Sequence, residues 1–128
     1  MKKEIQAVEE FHRSFESPVA DKPTLINQDR YLLRYKLMRE ENEEYLEACQ
    51  NGDLIEAADA MGDMLYILAG TMVEHGMKDV IDDIFTEIQS SNMSKLDSDG
   101  QPIFREDGKI LKGPNYFRPD IKKHLPNE

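Results

Sequence analysis

Apolar residues recur at helical spacing along the first three quarters of the chain. Ile5, Val8, Phe11 and Phe15 predict a first helix over about residues 3–15, and Pro18 and Pro23 in the following SPVADKPTL end it. A second helical pattern, rich in Leu, Arg and Glu, runs from about Gln28 to Gln50 and stops at Asn51-Gly52-Asp53. Asp53 is placed to N-cap a third helix that reaches about His75, with Gly76 as its C-cap. Asp79 then starts a fourth helix through Val80, Ile84, Phe85 and Ile88, which fades near SSNMSK. Beyond it the pattern changes: PIFREDGKIL alternates around Asp107-Gly108, a two-residue hairpin signal, and KGPNYFRPD reads as an extended arm. The expectation is an all-α chain of four to five helices, one domain over residues 1–128. Its helical core spans about 3–95, and a small C-terminal β-hairpin or extended arm spans about 96–128.

Charge narrows the partners. A chain of 128 residues supports one core and not two. With 26 acidic against 16 basic residues its formal net charge is −10, which repels duplex nucleic acid and anionic membrane surfaces. Cys49 is the one cysteine, so no intrachain disulfide forms, and the reading fits a reducing, cytoplasmic setting. MKKEIQAVEEFH carries two lysines with no long apolar run behind them, unlike a secretory signal. The apolar stretch Ala57 to Val73 approaches membrane-spanning length, but Asp59 and Asp63 inside it argue against spanning.

Those two aspartates are the chemical question. At i and i+4 they leave one helix face about 5 to 6 Å apart at Cβ, with Glu56 one turn earlier. They sit among Met61, Met64, Leu65, Ile67 and Leu68, a setting that predicts burial, and a buried unpaired carboxylate is costly. A basic side chain from another helix or a divalent cation is therefore expected beside them. The second helix carries Glu40, Glu41 and Glu44, flanked by Glu43 and Glu47. An antiparallel turn centred near Gly52 brings Glu41 and Glu44 level with Asp59 and Asp63. Facing carboxylates of this kind form the all-oxygen set that Mg²⁺ or Mn²⁺ prefers. Taken alone, the glutamates of 40–47 read more readily as a solvated helix face. The level match with the aspartates is what favours a site.

REENEEYLEA followed by DAMGDMLYILAG resembles the all-α nucleoside triphosphate pyrophosphohydrolase superfamily, which includes MazG-type enzymes, dimeric dUTPases and phosphoribosyl-ATP pyrophosphohydrolases. Glu40, Glu41 and Glu44 match its EExxE signature, and Asp63 matches the Asp of its ExxD. Ala60 stands where that motif has Glu, with Asp59 one residue earlier, and a literal ExxD also occurs at Glu56 and Asp59. VEEFHRSF, SNMSKL and DGKILKGPNYFRPDI resemble a MazG-like, phosphoribosyl-ATP pyrophosphohydrolase-like subgroup, so the similarity covers most of the chain.

The resemblance implies a MazG-like helical bundle and a Mg²⁺-dependent cleavage between the α and β phosphates, giving a nucleoside monophosphate and pyrophosphate. It implies Glu40 or Glu41 as the group that orients or deprotonates water, and Glu41, Glu44, Asp59 and Asp63 as metal ligands. It singles out Asn92 and Lys95 for the phosphates. Lys109, Lys112 and Arg118 in the basic arm are candidates for the same task, with solubility an equal reading. His12 is a candidate contact to the base. Homodimers or homotetramers are the implied assembly, and the apolar third helix suits one. The alternatives are a phosphoribosyl-ATP or dUTP pyrophosphohydrolase of the same fold, or a non-enzymatic helical protein that binds a metal or a partner.

Overall fold

The computed structural model describes residues 1–126. Four α-helices follow one another: α1 (Lys2–Ser14), α2 (Gln28–Gln50), α3 (Leu54–Glu74) and α4 (Ile81–Met93), with a 3₁₀ turn at Lys122–His124. The all-α expectation holds. The chain divides into two compact units, Met1–Asp79 and Val80–Glu128.

In the first unit α1 and α2 both pack on α3. The α2–α3 connection is set by local chemistry. Gly52 takes a φ of +65°, its N–H donates to Cys49 O and the N–H of Asp53 donates to Ala48 O, which together close α2 in a Schellman motif. Asp53 then accepts from the N–H of Glu56 and caps α3. One residue thus ends one helix and starts the next, and the two are forced antiparallel. Gly76, at φ +69°, closes α3 in the same way through Val73 O and Met72 O. A Cβ there would run into the carbonyl of Lys22, because residues 20–24 hydrogen-bond along the end of α3 (Ala20 N to Val73 O, Thr24 N to His75 O).

The packing of α3 departs from the sequence reading. Its buried positions are Ala57, Ala60, Ala69, Gly70, Val73 and Glu74, whereas Met61, Leu65, Tyr66 and Leu68 are exposed. Small residues form the seam because they let the helices approach closely, and the large apolar ones are left on the outer flanks. The expected burial of both aspartates is corrected accordingly: Asp59 is exposed and Asp63 half-buried. Ile5, Val8 and His12 form the buried stripe of α1, and Phe11 meets Tyr66 edge-on at 5.7 Å.

In the second unit α4 begins at Ile81 behind Val80, so Asp79 does not cap it. Arg105 and Lys109 bracket a three-residue loop with Gly108 at φ +87°, and one antiparallel bridge joins Phe104 to Ile110. The hairpin is therefore one residue longer in its loop than the two-residue turn expected, and among the described residues it adds no named strand. The segment after it lies along α4. Ser91 donates to Phe117 O at 2.8 Å, Ser94 Oγ accepts from the N–H of Phe117, and Glu87 accepts from the N–H of Asp120. Gly113 packs against the carbonyls of Lys95 and Leu96 where any side chain would collide.

Candidate active site

The antiparallel hairpin brings the acidic stretch of α2 beside that of α3. Glu41 is half-buried on α2, its Oε2 is enclosed and has no hydrogen-bond partner, and Glu44, Asp63 and Asp59 all act on it electrostatically. Desolvation first, then a hydrogen bond shared with Glu44 and the charges of Glu44, Asp63 and Asp59, push the Glu41 carboxyl up to about 7. Glu44 and Asp59 are exposed. They line one open groove of about 430 Å³ with Glu47, Ala48, Asn51, Asp53 and Glu56. The level match predicted from the turn is realised.

The expected compensating charge is not supplied by protein. Among the described residues, no lysine or arginine forms an ion pair with Glu41, Glu44, Asp59 or Asp63. Nor do three His, Cys, Asp or Glu side chains among the described residues converge as a ready coordination set. The donor chemistry suits a hard divalent cation, an oxygen-only set with one enclosed and unpartnered oxygen; what the chain alone does not do is draw the donors together.

The other candidates fall in different places. Glu40 is exposed and shares a surface groove with Lys36, Arg39 and Glu43, apart from the Glu41 group. Ala60, in place of the motif glutamate, is 2% exposed, so position 60 points into the seam and the exposed Asp59 does not replace it there. His12 is 3% exposed, and its Nδ1 donates to Pro18 O at 2.9 Å while lying 4.0 Å from Glu74. It is packed in the core of the first unit. In the second unit Asn92 and Lys95 line an apolar groove of about 440 Å³ with Met93, Leu96, Pro102 and Ile110. Lys112, next to Gly113, holds its ammonium 4.8 Å above the Tyr116 ring.

Sequence reasoning missed a second charged cluster. Glu74 is 1% exposed and is held by Arg30 and Arg34. Its signal was available: Arg30, Arg34 and Glu41 rise along one face of α2, and Glu74 ends the apolar helix.

The fold is all-helical, with a carboxylate face on an antiparallel helix pair. The family model described as phosphoribosyl-ATP pyrophosphohydrolase matches residues 8–92, and the chain belongs to that family, within the MazG-like all-α NTP pyrophosphohydrolase superfamily. Comparison with curated proteins found no match. Among the described residues no helix is long and apolar enough to cross a membrane.

Proposed function

We propose that this chain is a divalent-metal-dependent pyrophosphohydrolase that cleaves a nucleotide between its α and β phosphates. Water adds to one phosphorus, the bridging P–O bond breaks, and a monophosphate and pyrophosphate leave. The observation that carries the reading is the enclosed, cation-free carboxylate of Glu41 facing Glu44, Asp59 and Asp63. Mg²⁺ or Mn²⁺ held by these four would neutralise phosphate charge and acidify bound water. Glu41, the enclosed member of the set, is the favoured group to orient or deprotonate water, with Glu40 as the alternative the motif allows.

The family description favours phosphoribosyl-ATP as substrate over a free nucleoside triphosphate, although the bond broken is the same. A homodimer or homotetramer is the proposed assembly: Tyr31, Tyr35, Met61 and Leu68 leave a broad apolar flank of α2 and α3 exposed, as a second copy would require.

The test is pyrophosphate release from phosphoribosyl-ATP and a panel of nucleoside triphosphates, with Mg²⁺, Mn²⁺ or chelator, for wild type and Asp63→Asn. Metal-dependent release that the variant loses while remaining folded supports the reading. Equal release from both proteins would reject it.

A further inference from the structure

The two ends of the α2–α3 seam are built differently. Near the hairpin the fully buried side chains of the two helices are Ala48, Ala57 and Ala60, all small. At the far end it holds a buried charge cluster. Arg30 grips Glu74 through Nε to Oε1 at 2.9 Å and Nη2 to Oε2 at 2.7 Å, and Arg34 Nη1 stands 3.3 Å from Oε2. Arg34 also donates from Nε to Thr71 Oγ1 at 3.1 Å and from Nη2 to Ile67 O at 2.8 Å. Gly70 makes the space: a Cβ there would fall 2.6 Å from Arg34 Nη2 and 2.8 Å from His12 Nε2.

Planar guanidinium forks accept little misalignment, and every donor just named has its partner on α3. A slip of α2 by one residue, about 1.5 Å, would break several of these bonds at once and leave the charges buried. Apolar side chains of the same size carry no such directional bonds. Arg34 and Glu41 lie two turns apart on one stripe of α2, and Glu74 lies three turns beyond Asp63 on α3. Whatever sets the pairing of Arg34 with the end of α3 therefore also sets the level of Glu41 against Asp63.

We propose that the Arg30–Arg34–Glu74 cluster, seated over Gly70, is the register key of the α2–α3 pair and positions Glu41 and Asp63 for their ligand. The use of those carboxylates rests on the pyrophosphohydrolase reading, whereas the register itself does not. The experiment compares wild type, Glu74→Gln and the apolar set R30M/R34L/E74L. Each carries spin labels at positions 43 and 61 on a Cys49→Ser background, with labelled chains diluted in unlabelled protein. Pulsed electron resonance reads the interhelical distance, circular dichroism reads helicity, and titration with Mn²⁺ alone reads affinity on the unlabelled proteins. The expected result is a narrow distance distribution in wild type, and a broadened or displaced one in both variants with helicity kept. Mn²⁺ binding should weaken on the order of tenfold, because carboxylates out of register no longer close on one ion. If the apolar set keeps the wild-type distance, packing alone sets the register and the proposal is overturned. If Glu74→Gln does not fold, the apolar set decides, and failure of both to fold assigns the cluster to stability and overturns it as well. Absence of Mn²⁺ binding in wild type would count against the functional reading, while the distances still judge the register.

Discussion

Glu41 and Asp63 lie equally far in sequence on either side of Gly52, and in the folded chain the Asp63 carboxylate helps to raise the proton affinity of Glu41. The turn that runs α2 and α3 antiparallel is made by three consecutive residues, Asn51, Gly52 and Asp53.

The proton affinity of Glu41 gives the metal-free protein a pH dependence. Its folded value of about 7 lies above the ordinary 4.5, so the native state binds more protons than the unfolded chain between those values. The contribution is fully present below the unfolded value and is lost as pH rises through about 7. Thermal melts in chelator should therefore show stability declining over that window, less steeply in Glu41→Gln. Because neighbouring carboxylates titrate with it, the midpoint belongs to the group. A saturating divalent cation should abolish the slope, and an unchanged slope in Glu41→Gln would contradict the assignment.

Ala60→Glu restores the motif carboxylate at a position that is 2% exposed. In chelator it should destabilise the protein by about 2 kcal/mol, the cost of burying a polar group without a partner. Added Mg²⁺ or Mn²⁺ should raise the melting temperature of the variant more than that of wild type, since ligand binding to the native state stabilises by mass action. Differential scanning fluorimetry with and without metal decides it.

Helix ends predict a ranking. Asp53→Ala removes one N-cap bond and should cost about 1 kcal/mol. Gly76→Ala imposes a left-handed conformation costing roughly 1–2 kcal/mol and also drives a methyl into the Lys22 carbonyl. Denaturant unfolding should find Gly76→Ala the weaker protein; the opposite order would show that residues 20–24 yield easily.

In the second unit Glu87 is pulled down to about 2 by Lys123, the N–H of Asp120 and His124, in that order. A depressed carboxylate stabilises above its unfolded value, ordinarily 4.5, and that contribution disappears as pH falls toward 2. Hydrogen exchange at the Asp120 amide should accelerate, relative to its intrinsic rate, on acidification through that range. Glu87→Gln should show the loosened behaviour already at neutral pH.

Much of this molecule was written in local pattern. The spans of α1, α2 and α3, the Asp53 cap, the Gly52 and Gly76 terminations and the all-α class follow from spacing and backbone chemistry that act within a few residues. That Glu41 and Glu44 come beside Asp59 and Asp63 followed too, because a short tight turn runs the two helices antiparallel. Tertiary structure decided what depends on approach between distant faces. It chose alanines for the seam, leaving Met61, Leu65 and Leu68 outside and Asp59 in solvent, since small side chains minimise the distance between helix axes. It drew His12 into the core, placed Glu40 apart from Glu41, and gathered Arg30 and Arg34 around Glu74, a residue 44 positions from Arg30. Hydrophobic periodicity reports which residues avoid water, but charges enter a core only where partners from other elements meet them, and that meeting is a property of the folded chain.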